Sequence, residues 1–264
     1  MQTLTRNLIR EIRSLEQRRG RREQQAWLAE GNKMVGDLLA SSSFPCLRLV
    51  ATEGWWSAHP QYLSVARESY QVTEAEMQRV SLLQAPQDVL AVFALPHDAS
   101  VHAPESQADR QISWALTLLL DEVQDPGNLG TIIRTADWFG VRHIYCTPGT
   151  ADCFSPKVVQ ATMSALARVR LHYFETKDEA CHWLQSLSCP IYGTFLDGQD
   201  IYHCALEPQG VLVMGNEGRG VSTEVAEQVS HRLLIPHFSP DGAHVESLNV
   251  SVATAICLSE LRRR

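Results

Sequence analysis

Beyond residue 112, short apolar runs alternate with helical patterns to the end of the chain. WALTLLLDEV (114–123) reads as a strand and NLGTIIRTADWFG (128–140) as a helix closed by Gly140. VRHIYCTP (141–148) is a strand, and SPKVVQATMSALA (155–167) a helix opened by Ser155-Pro156. PIYGTFLD (190–197), GVLVMG (210–215) and RLLIP (232–236) are the remaining strands, with helices near 177–187 and 222–229. Apolar strands separated by helices build a parallel sheet covered on both faces. Such a sheet takes its ligands beyond the carboxyl ends of its strands.

The last helix is unusual. From Val250 to Leu261 its only strongly polar side chain is Glu260, so the pattern predicts a terminus buried nearly all round. Glu246, Ser247 and Asn249 stand at its entrance, where Ser247 reads as a helix cap.

The first half is a separate, smaller α/β arrangement. Leu4, Leu8, Ile12 and Leu15 form a helical stripe that can dock into the domain behind it. AWLAEGNKMVGDLLA (26–40) gives a strand ending near Glu30-Gly31, then a helix using Met34, Val35, Leu38 and Leu39. Two further strands are predicted at 47–52 and 88–96, and Thr73 with Glu76 forms a capping box. The polar stretch HDASVHAPESQADRQ (97–111) lacks either periodicity and is the linker candidate. The predicted division is therefore 1–96, a linker at 97–111, and 112–264.

With 44% hydrophobic residues, the chain can bury a sizeable core. Its seven cysteines are scattered without metal-ligand spacing, which argues against a disulfide framework or a metal site and favours a reducing cytoplasm. No apolar run is long enough to span a membrane, and no signal peptide is legible. The net charge of -7 excludes a globally basic nucleic-acid binder, yet residues 1–22 hold seven arginines against two glutamates. Arg18, Arg19, Arg21 and Arg22 are the candidate phosphate contacts of this patch, a solvated helix face being the plain alternative.

Three loops of the second half carry unusual residues. In DPGNLGTIIRTA (125–136), Gly127 and Gly130 flank Asn128 at a helix start, with Arg134 further along. An ordinary strand-to-helix turn with Asn128 as its cap explains this loop equally well. In VLVMGNEGRGVS (211–222), Gly215, Gly218 and Gly220 let the backbone approach a ligand, with Glu217 among them. In LLIPHFSPDGAHVESLNVSVATA (233–255), Ile235-Pro236 ends a strand, and Ser247 and Asn249 open the final helix.

Taken in order on one parallel sheet, the three motifs resemble the SpoU (TrmH-type) branch of the SPOUT RNA methyltransferases. The likeness rests on N-x-G-x-x-x-R-T at Asn128–Thr135, M-G-x-E-G-x-G at Met214–Gly220, and I-P…E-S-L-N-V-S-V from Ile235 to Val252. It implies a small N-terminal α/β RNA-binding domain followed by a SPOUT domain with a deep trefoil knot. In that knot the C-terminal helix threads through a loop. It also implies a homodimer and the cofactor S-adenosyl-L-methionine, whose methyl passes to a ribose 2′-OH of RNA. Ribosomal RNA is the favoured substrate. Transfer RNA, or a non-catalytic RNA-binding role in ribosome assembly, are the alternatives.

Carried over residue by residue, the resemblance makes Arg134 the central catalytic group and gives Asn128, Glu217, Ser247 and Asn249 orienting roles. A guanidinium stays protonated in proteins, so holding a phosphate and stabilising alkoxide charge suits Arg134 better than acting as a base. Met214, Gly215, Asn216, Gly220, Ile235, Pro236, Ser247 and Leu248 are the implied cofactor positions. Two departures stand out: His237–Val245 is long for its place, and Ser164 occupies a position where many relatives have glycine.

Overall fold

The three-dimensional structure, a computed structural model, describes residues 4–96, 116–239 and 247–263. The chain divides into two compact units: Met1–His97 with Asp152–Arg168, and Asp98–Ala151 with Val169–Arg264.

In the first unit, Thr5 caps α1 (Arg6–Ser14) by accepting a hydrogen bond from the Leu8 N–H. The predicted stripe is buried at Leu8, Ile12 and Leu15, packed with Val50, Leu28 and Val92. The arginine-rich stretch then turns into a separate helix, α2 (Arg18–Gln24). Gly20 makes the turn possible, because a Cβ there would lie 2.1 Å from the Ser14 carbonyl oxygen. The sheet comprises β1 (Ala26–Glu30), β2 (Cys46–Thr52), β3 (Glu68–Val72) and β4 (Val89–Ala94), in the order β1-β4-β2-β3. Only β2 and β3 are parallel; β4 runs against both its neighbours. Helices α3 (Asn32–Ser41), α4 (Glu53–Ala58) and α5 (Glu74–Val80) connect the strands, α5 with the expected Thr73–Glu76 capping box. Neither α4 nor β3 carries a periodicity long enough to be legible in the sequence.

The second unit holds a sheet in which every pairing is parallel. Its elements are β5 (Leu116–Leu120), α6 (Pro126–Trp138), β6 (His143–Cys146), β7 (Arg170–Tyr173) and α8 (Lys177–Gln185). Next come β8 (Ile191–Asp200), β9 (Gly210–Met214), α9 (Thr223–Ala226), β10 (His231–Leu234) and α10 (Val250–Arg263). The helix α7 (Pro156–Thr162) lies on the β6–β7 crossover but clusters with the first unit, where Gln160 Nε2 donates to the Glu30 carbonyl at 2.9 Å. It is shorter than predicted. Met163 and Ser164 take left-handed φ values of 49° and 68°, which break the helix before a short 3-10 turn at Ala165–Ala167. Glycine suits that backbone best; Ser164 is held there by its hydroxyl donating to Asp37 Oδ2 at 2.7 Å.

The strand order β10-β8-β9-β5-β6-β7 starts in the middle. From β5 the chain moves outward to β6 and β7, then returns on the other side. The direction changes between β5 and β9, where Leu120 is in register with Met214. Such a switch point leaves a crevice beyond the strand ends.

α10 corrects one expectation. Its face of Ser251, Thr254, Cys257, Leu258 and Leu261 is buried, and α10 packs on α6, but Val252 remains 49% exposed. Composition alone gave a helix buried all round; the burial is one-sided. It even takes in Glu260, whose carboxylate accepts from the Arg263 guanidinium at 2.7 and 2.9 Å.

Candidate functional site

Three loops of the second unit converge at the switch point. The first loop leaves the end of β5. Asp125, not Asn128, is the N-cap of α6, its carboxylate accepting the Asn128 N–H at 2.8 Å. Pro126 takes the first helical position, where its missing N–H costs nothing. The sequence held this signal in Asp125-Pro126. Moving the cap three residues back frees the Asn128 amide for other work.

That amide joins the loops. Asn128 Nδ2 donates to Glu217 Oε1 at 3.1 Å, and Asn128 Oδ1 accepts from Asn249 Nδ2 at 2.9 Å. Glu217 also accepts the backbone N–H groups of Asp125, at 3.1 Å, and Gln124, at 3.3 Å. Partial burial pushes the Glu217 carboxyl up, but the bonds from Asn128 and the backbone outweigh it and hold the pKa below the ordinary carboxylate range. Asn249 Oδ1 accepts from the Ser251 and Val252 N–H groups at 2.9 and 3.4 Å. Asn249 therefore caps α10 and Ser247 does not, because a cap must directly precede the first helical residue.

The second loop, after β9, folds tightly on itself. Asn216 and Gly220 exchange two backbone hydrogen bonds of 2.9 Å. Asn216 Oδ1 accepts the Gly218 and Arg219 N–H groups at 3.0 and 3.1 Å. Gly215 is obligatory, since a Cβ there would lie 2.2 Å from Gly220 C and Val221 N. Gly220, with φ +71°, has nothing within 4 Å of a would-be Cβ, so bare backbone faces open space. Met214 is buried as the last residue of β9. Ile235 and Pro236 are half-buried just after β10, and Ser247 and Leu248 are exposed before α10. Bare backbone at Gly220, with Ile235 half-buried and Leu248 exposed, suits a ligand with an apolar ring edged by donors and acceptors, as adenosine is.

Arg134 stands apart. It lies on the exposed Thr131–Arg134–Trp138 face of α6, about 9 Å along the axis from Asn128 at 1.5 Å per residue. Its guanidinium makes no hydrogen bond or ion pair with the described residues.

The arginine patch divides. Arg18, Arg19 and Arg22 are exposed, Arg19 pairing with Glu23 at 2.6 Å. Arg21, expected among the phosphate contacts, is only 4% exposed. Its guanidinium donates to Asp152 Oδ2 at 2.7 and 3.2 Å and to the carbonyls of Leu15 and Glu16, both at 2.8 Å. Those bonds use the donors a phosphate would need, so Arg21 is a structural residue of the first unit.

Sequence reading also missed Asp121, Glu122 and Lys177. Asp121 and Glu122 directly follow the apolar β5, a visible charged pair, but their partners lie far along the chain.

Comparison with known proteins gives consistent likenesses. The SpoU rRNA Methylase family model matches residues 115–259, and the MRM3-like substrate binding domain matches residues 6–91. The 23S rRNA (guanosine(2553)-2′-O)-methyltransferase RlmP of Bacillus subtilis is 30% identical over 96% of this chain and 95% of its own. A TrmH-family protein solved from Porphyromonas gingivalis is 42% identical, covers 99% of both chains and superposes with a TM-score of 0.85. An rRNA methyltransferase from Sinorhizobium meliloti, solved with AdoMet bound, is 29% identical, covers 100% of this chain and 97% of its own, and has a TM-score of 0.82. Among the described residues, no helix is long and apolar enough to cross a membrane.

Proposed function

The chain belongs to the SpoU rRNA methylase family, and we propose that it transfers a methyl group from S-adenosylmethionine to a ribose 2′-OH of ribosomal RNA. The observation that carries this reading is the chain of hydrogen bonds Asn249–Asn128–Glu217, which ties the three motif loops together at the sheet's switch point.

When bound, S-adenosylmethionine supplies a methyl group activated by its sulfonium. The loops at Met214–Gly220, Ile235–Pro236 and Ser247–Leu248 would hold its adenosine part, largely by backbone groups. Glu217 stays ionised and fixes Asn128; Asn128 in turn fixes Asn249, so both amides are oriented before substrate arrives. Arg134, with its guanidinium uncommitted, holds the neighbouring phosphate and stabilises the developing alkoxide. Ser247 borders the same mouth and orients the hydroxyl.

Residues 1–96 are assigned to RNA recognition, 97–111 to a linker and 112–264 to catalysis. The first assignment is supported by the match of residues 6–91 to a substrate-binding domain. Arg18, Arg19 and Arg22 are its phosphate contacts. A homodimer through α6 and α10 fits their outward faces, where Trp138 is 86% exposed beside the free Arg134, and Val252 is uncovered. Sedimentation at micromolar concentration should give a dimer. The deep trefoil knot around α10 and a cytoplasmic location belong to the same reading.

The deciding experiment joins calorimetric titration of S-adenosylmethionine with mapping of ribose methylation in cells lacking the protein. Binding, and the loss of one ribosomal RNA methyl, are expected. Absence of binding would leave a non-catalytic RNA-binding protein, and a mark lost from transfer RNA would move the substrate.

A further inference from the structure

Glu122 lies two residues beyond the end of β5 and has a φ of +58°, a conformation disfavoured for any residue with a Cβ. Such strain persists only where the surroundings over-determine it. Here every polar group of the residue is engaged. Its N–H donates to Thr147 Oγ1 at 3.0 Å, and its carbonyl accepts from Asn216 Nδ2 at 2.8 Å. Its carboxylate accepts from Lys177 Nζ at 2.7 Å and from the Arg219 guanidinium.

Asp121, buried, grips the same segment. Its N–H donates to the Met214 carbonyl at 2.8 Å, and its carboxylate accepts the Ser222 N–H at 2.7 Å. Two successive acidic residues therefore hold Met214, Asn216, Arg219 and Ser222, the whole course of the loop after β9. Successive side chains of a strand point to opposite faces. The left-handed turn at Glu122 lets both serve one loop.

Lys177 shows that the brace is specific. It is the first residue of α8, where the helix dipole disfavours a cation. Its hydrogen bond to Glu122 raises the ammonium pKa and lowers that of the carboxyl, so each charge is retained for the other.

We propose that Glu122, together with Asp121, is a positioning residue that preorganises the Met214–Gly220 loop for S-adenosylmethionine. This inference rests on the assignment of that loop to the cofactor. A loop already held in its bound shape loses less entropy on binding.

Glu122→Gly separates the two roles of the residue, since glycine keeps the left-handed backbone without strain but has no carboxylate. In the full chain, this variant should melt no lower than Glu122→Ala. It should nevertheless bind S-adenosylmethionine about tenfold more weakly, with KM raised and kcat nearly unchanged. In the cofactor-free protein, the Asn216 and Gly220 amides should exchange about tenfold faster. Lys177→Met, which leaves the backbone untouched, should shift both readouts in the same direction by about threefold. Wild-type affinity and exchange in folded Glu122→Gly and Lys177→Met would overturn the proposal. Failure of the wild-type protein to bind S-adenosylmethionine would instead sink the functional reading. The exchange rates of the cofactor-free chain would then still decide whether the brace exists.

Discussion

Strand ends in the two sheets treat their polar groups in opposite ways. At the end of β1, Glu30 is buried and closed in. Its carboxylate accepts from the Ser81 hydroxyl and from the Leu82 N–H at 3.0 Å, and elsewhere in the same unit Arg21 is sealed against Asp152. At the ends of β5 and β9, by contrast, Asn128 is half-buried and Glu217 exposed, and Asn249 joins them from the mouth of α10. Both networks are well bonded, so hydrogen bonding does not tell a sealed cluster from one open to a ligand. Access does. A sealed network contributes to stability, whereas one held in place at a crevice can turn its remaining groups to a ligand.

Three sets of substitutions can break or sharpen this contrast. The largest effect is expected at Arg134. Arg134→Ala should lower the rate of methyl transfer by about 10²–10³, as loss of a transition-state charge contact does, with cofactor affinity and melting temperature unchanged. Wild-type turnover in a single-turnover assay would remove Arg134 from the site.

The next effect is one of stability. Arg21→Ala strips Asp152 and two carbonyls of their partner, which should cost about 2–3 kcal/mol in urea unfolding, given that Asp152 is partly exposed. Its RNA affinity in salt should match that of the wild type. Replacing Arg18, Arg19 and Arg22 together should do the reverse. The melting temperature should hold, while the slope of log affinity against log salt flattens by about 2, from roughly 0.7 per single-stranded phosphate contact. An unaltered slope would move RNA binding to the second unit.

The smallest effect concerns pH. Burial pushes the Glu30 carboxyl up, and the bonds from Ser81 and Leu82 only partly offset this. A carboxyl with a folded pKa above its unfolded value contributes stability that is fully present below the unfolded pKa. That contribution is lost as pH rises through the folded pKa. Wild type should therefore lose stability relative to Glu30→Gln as pH climbs from the ordinary carboxylate range, with no change in the difference below it. Glu217, exposed and shifted the other way, should show no such loss on raising pH. Parallel stability curves for wild type and Glu30→Gln would refute the burial argument.

The alternation of apolar strands and helices, the stripe at Leu8, Ile12 and Leu15, and the Thr73–Glu76 capping box were all legible along the chain. Each is written within a few turns or strand lengths, where backbone geometry repeats at a fixed period. The motif loops at Asn128, Glu217 and Asn249 were marked locally by strand ends and glycines, but their caps were misplaced: Asp125 and Asn249 cap α6 and α10, where Asn128 and Ser247 were expected. Only the tertiary structure decided which groups meet. Arg21 finds Asp152 across 131 residues, and Asn249 finds Asn128 across 121. Nothing local distinguishes Arg21 from Arg22 until neighbouring segments cover one of them. The same holds for the uneven burial of α10 and for Glu122, whose left-handed turn is set by Thr147, Asn216, Lys177 and Arg219 together. The period of a pattern depends on the backbone alone, whereas the partner of a side chain depends on how distant segments pack.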